Sequence, residues 1–142
     1  MIKLAENRLI NFIEFLNDNW PTEEDVYLSV LHTYDSVEAG GERAWAVYAV
    51  PEGESKPVIY IAGEVPEDVQ KEYIGTEPKD IILEDLAHEY CHHIQYCEGR
   101  MPDEEDDETA EAEATVFATK AMNMWSGSLA GNWDQWSKTP TL

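Results

Sequence analysis

Along this chain the apolar positions keep a helical period near both ends and change to short, nearly continuous runs between. In "LAENRLINFIEFLNDNW" the residues Leu4, Arg8, Leu9, Phe12, Ile13, Phe15 and Leu16 fall at helical spacing and Pro21 closes the run, which predicts an N-terminal amphipathic helix. The stretches "DVYLSVLHTYD", "RAWAVYAV" and "PVIYIAG" are rich in β-branched and aromatic residues. They are separated by "EAGGE" and "PEGESKP", whose glycines and prolines punctuate turns, so they predict three strands of a mostly antiparallel meander. From Asp80 to about Glu98 neither Gly nor Pro intervenes, Ile81, Ile82, Leu86, Ala87, Tyr90 and Ile94 recur with helical period, and Gly99 stands as a stop. After the acidic run "PDEEDDE", Ala110, Ala114, Phe117, Ala118, Ala121, Met122 and Trp125 form the apolar stripe of another long helix.

The expected architecture is α+β: a small, mostly antiparallel three-stranded sheet with an N-terminal helix and two long helices after it. A chain of 142 residues is about the size of one domain, here 1–142, with a core over about 26–125 and a poorly defined tail, "SGSLAGNWDQWSKTPTL", at 126–142.

The first long helix carries the candidate chemistry. "LAHEYCHHIQ" contains His88, Glu89 and His92 in an H-E-x-x-H pattern. Residues i and i+4 of a helix lie one turn apart on one face, so two imidazoles can direct nitrogens at one point and suit zinc. Glu89 is displaced around the helix, placed to act as general base toward water rather than as a ligand. A catalytic zinc takes three protein ligands and leaves a position for water, whose pKa it lowers to about 7. The third ligand must come from elsewhere. His93 points about 100° away from His92, His32 falls in the first expected strand, and Glu84 lies one turn before His88. A carboxylate of the second long helix, Glu111 or Glu113, is the better candidate. His93, Tyr60, Tyr90 and Tyr96 are the possible oxyanion or substrate contacts, and "PVIYIAG" is the candidate sheet edge for an extended peptide.

At this point the residues resemble a known family. "HEYCH" followed by "ETAEAEATVFATKAM" is similar to the short gluzincin-type zinc peptidases of the IrrE/ImmA group, whose second helix carries E-x-x-A-(N/D)-x-F-A. Glu111, Ala114, Phe117 and Ala118 match that pattern; Thr115 departs from it, standing where the family has Asn or Asp. The resemblance implies a minimal zincin core, Zn²⁺ held by His88, His92 and Glu111, and cleavage of a protein or peptide substrate in the cytoplasm. The helix-turn-helix region of some relatives has no visible counterpart here.

Composition adds a constraint on partners. Thirty acidic residues against nine basic ones give a formal charge of -21, which repels nucleic acid phosphate and anionic lipid. The same charge motivates a rival expectation, an acidic binding protein that mimics DNA or inhibits a basic partner. A second rival is a structural zinc domain without catalysis, with Cys91 or His93 as fourth ligand. The start "MIKLAENRLINFIEF" has no signal-peptide form and no run approaches a membrane span, so the expected address is cytoplasmic. Cys91 and Cys97 sit roughly 9 Å apart along one helix, too far for a disulfide, in keeping with reduced thiols.

Overall fold

The computed structural model describes residues 2–3, 6–31, 38–39, 42–43, 46–49, 56–62, 64–65, 78–100 and 108–127. His32 and the tail beyond Gly127 lie outside them. The elements run β1 (Ile2–Lys3), α1 (Glu6–Asn19), β2 (Tyr27–Leu31), β3 (Glu38–Ala39), β4 (Glu42–Arg43), β5 (Ala46–Ala49), β6 (Val58–Ala62), β7 (Glu64–Val65), α2 (Pro78–Cys97) and α3 (Glu108–Gly127). The class is α+β, with three helices and a three-stranded sheet. Two-residue pairings of β1 with β7 and of β3 with β4 are added to it.

The sheet is mixed rather than mostly antiparallel. Its order is β2-β6-β5, with β6 parallel to β2 and antiparallel to β5. The strand expected at an edge is therefore the central one, and both of its sides are hydrogen-bonded. The physical reason is legible afterwards: Val58–Ala62 is apolar without alternation, as suits a strand with neighbours on both sides, whereas β2 is interrupted by Ser29. Among the described strands β5 and β2 each pair on one side only.

The pleat sorts the sheet into two faces. Ala46, Tyr48, Ile59 and Ile61 are buried toward the helices, while Tyr27 and Tyr60 are exposed on the other side. α2 lies between sheet and α3 and packs along both. It is buried around most of its circumference, through Ile82, Leu83, Leu86, Ala87, Tyr90, Cys91, His92, His93 and Gln95. Pro78 suits its first turn, where no intrahelical N–H is needed. Its end is a Schellman closure: Gly99 takes φ 72°, the Gly99 amide donates to Tyr96 O (3.0 Å) and the Arg100 amide to Gln95 O (2.8 Å).

α1 closes the core with Leu9, Phe12, Ile13 and Leu16. Phe12 meets Trp125 of α3 edge-on at 5.1 Å, and Trp20 meets Phe117 at 4.7 Å. No helix among the described residues is long and apolar enough to cross a membrane.

Candidate metal centre

One turn of α2 separates His88 from His92, and their rings stand 5.0 Å apart at 80°. α3 brings Glu111 across to both. His88 Nε2 lies 2.8 Å from Glu111 Oε2, and His92 Nε2 lies 3.0 Å from Glu111 Oε1. One ligand atom from each of the three lies within 4.8 Å of the others, which makes the trio a group able to hold a metal ion. His92 is nearly buried and Glu111 half exposed, so the group opens to solvent on the α3 side.

The hydrogen bonds say which nitrogen is free. His92 Nδ1 is 2.9 Å from Gln95 Oε1. The orientation of that amide is fixed by its other end, because Gln95 Nε2 faces the Ala110 carbonyl oxygen (3.1 Å) and Glu113 Oε1 (3.3 Å), both acceptors. Nδ1 of His92 therefore carries the proton and donates. Its Nε2 then faces Glu111 Oε1, and burial lowers the pKa of His88 beside it, opposed by the hydrogen bond of that ring to Glu111. Two imidazole nitrogens and a carboxylate thus converge at one point, where each Nε2 either donates a hydrogen bond to Glu111 or, deprotonated, can share a cation with it. That donor set, two nitrogens and a carboxylate oxygen, is one that can hold a metal ion.

Glu111 and Glu113, open alternatives in sequence, have separate places. Glu113 takes no part in the ligand group: Arg100 grips it through two bonds of 3.0 Å, and that guanidinium holds its carboxyl below the usual carboxylate range. The Thr115 hydroxyl donates back to Glu111 O at 3.0 Å, so it serves its own helix and supports neither histidine.

Glu89 lies on the sheet side of α2. Its Oε2 accepts the Tyr48 amide at 3.1 Å, on the side of β5 that carries no described strand. Burial, opposed by this bond and reinforced by the charges of Asp85 and Glu111, pushes its carboxyl up to about 8.

The remaining candidates are placed elsewhere. His93 is fully buried; its Nε2 donates to Glu24 O (2.6 Å) and its Nδ1 accepts from the Tyr48 hydroxyl (3.0 Å). Tyr90 is buried with its hydroxyl donating to Trp20 O at 2.7 Å. Tyr60 stands on the sheet face opposite the helices. Burial pushes the Cys91 thiol up to about 12, and the sulfur lies toward Glu113 and Gln95. Among the described residues neither Cys91 nor His93 joins the three-residue group.

Sequence reasoning did not single out Gln95, Arg100 or Tyr48. Gln95 had a signal, being a polar residue three positions after His92 on a helix with little solvent-facing surface. Compared with known proteins, the chain matches no family model, no curated protein and no solved structure.

Proposed function

We propose that this protein is a zinc-dependent metallopeptidase of the gluzincin type, similar to the IrrE/ImmA group, with His88, His92 and Glu111 as ligands and Glu89 as general base. The observation that carries the reading is the convergence of three acceptors from α2 and α3, with a buried carboxyl on the same helix. Zinc bound to that trio supplies Lewis-acid polarisation of a carbonyl and acidification of water.

The chain's own groups account for the rest. Glu89 Oε2 is fixed by the Tyr48 amide, which leaves Oε1 to take a proton from the attacking water and return it to the departing amine. Its raised pKa suits both tasks near neutrality, and a cation nearby draws the value down. A peptide rather than a small ester is favoured by β5, whose side away from β6 carries no described strand, so that backbone groups there other than the Tyr48 amide can pair with an extended chain beside Glu89.

The experiment is Glu89→Gln, assayed on a fluorogenic peptide library with and without a chelator. Wild type is expected to cleave in a chelator-sensitive way. The variant should keep one zinc per chain and lose about 10²–10⁴-fold in kcat. Cleavage at near wild-type rate by the variant, or by chelated wild type, removes this reading.

A further inference from the structure

The ligand histidine His92 is held by residues that the metal reading does not use. Gln95, buried to 1 % exposure, accepts the His92 Nδ1 proton at 2.9 Å and passes its own amide protons to Glu113 (3.3 Å) and to the Ala110 carbonyl (3.1 Å). Glu113 is in turn gripped by Arg100 through both terminal guanidinium nitrogens at 3.0 Å, and Glu98 accepts from Arg100 Nε at 2.7 Å. Donation converges on Glu113 from two sides. Arg100 and Gln95 both donate to Glu113, and His92 donates to Gln95.

We propose that Gln95, anchored by Glu113 and Arg100, is a positioning residue that fixes the Nε2-free tautomer and the ring orientation of His92 for zinc. This rests on the zinc-site reading above. The Gly99 turn makes it geometrically possible: the left-handed residue reverses the chain after α2 so that Arg100 returns to reach Glu113 of α3. The network therefore ties the helix that carries both histidines to the helix that carries Glu111, through a contact outside the ligand group. It also takes the place of support from position 115, because the Thr115 hydroxyl is spent on its own helix. An outer partner of a metal-bound histidine holds ring and tautomer, and its loss commonly weakens metal binding by about 10–100-fold.

The test measures the zinc dissociation constant by competition with a chromophoric chelator, on the full chain, with the visible spectrum of the Co²⁺-loaded protein as a second readout. Gln95→Met, close in shape and without the acceptor, should weaken zinc by about 10–100-fold and alter the Co²⁺ bands. Arg100→Gln, at an exposed position where folding is safe, should weaken it in the same direction by less. Thr115→Ala should stay within about twofold of wild type, since its hydroxyl serves only its own helix. Melting of the metal-free forms is read alongside. If Gln95→Met and Arg100→Gln lower the metal-free melting temperature while the zinc constant and the Co²⁺ bands stay at wild type, Gln95 is merely structural and the proposal is overturned alone. If wild type itself binds no zinc, this proposal and the zinc reading fall together.

Discussion

His92 and His93 are neighbours in sequence, both buried, and put to opposite uses. His93 has a partner for each ring nitrogen: the Glu24 carbonyl takes the Nε2 proton and the Tyr48 hydroxyl donates to Nδ1. It joins α2 to β5 and to the segment after α1, and has nothing left to offer a ligand. His92 has one nitrogen satisfied by Gln95 and the other aimed at a carboxylate that also faces His88. A histidine satisfied on both sides is a strut. One satisfied on a single side, with a carboxylate facing the other, is left able to join a group that could hold a metal ion.

The sharpest way to break this contrast is to remove each ring. His92→Ala should abolish stoichiometric zinc and with it the zinc-dependent rise in melting temperature. Zinc at a hundredfold excess over Kd stabilises by about 2.7 kcal/mol, or roughly 5–10 °C for a domain of this size. His93→Ala should do the reverse, lowering metal-free stability by about 2–4 kcal/mol because it orphans buried partners, while the protein that remains folded still takes up one zinc. Calorimetric melts with and without zinc check both, and exchanged outcomes would reverse the assignment.

A smaller effect concerns Glu89, which sits between the two regions. Its folded pKa, about 8, lies above that of an unfolded carboxyl, so the stability it contributes is whole at acid pH. That contribution drains as pH rises through the window up to about 8 and is gone above it. Glu89→Gln keeps an acceptor for the Tyr48 amide and cannot ionise. The metal-free variant should therefore match wild type near pH 5 and exceed it near pH 8 by on the order of a few kcal/mol. Paired melts of chelated proteins across that range test it; a gap that stays constant with pH counts against the buried, raised carboxyl.

The smallest expected effect is at Tyr60, on the sheet face turned away from the helices. Tyr60→Ala should cost about 1 kcal/mol or less and leave the zinc constant unchanged. A marked loss of zinc binding would bring that face into the site.

Much of this was legible in the chain. The stripe Leu9, Phe12, Ile13 and Leu16 gave α1 its buried face, the uninterrupted run through His88 and His92 gave α2, and Ala114, Ala118, Ala121 and Trp125 gave α3. Helical spacing is local, so a face can be read from a few residues on either side. Sheet order is not local: which strand inserts between two others depends on contacts across the chain, and the apolar run of Val58–Ala62 was mistaken for an edge. The partners of Glu113 were hidden for the same reason, since Arg100 reaches it only after the chain reverses at Gly99.

By itself the sequence determined that His88 and His92 share a helix face with Glu89 beside them, because the α-helical repeat fixes those relations without reference to anything else. Only the tertiary structure decided that Glu111 closes the group while Glu113 turns to Arg100 and Gln95, and that His93 is a strut rather than a ligand. Those outcomes depend on how two helices and a strand edge meet, and buried polar groups take whichever partners that meeting supplies.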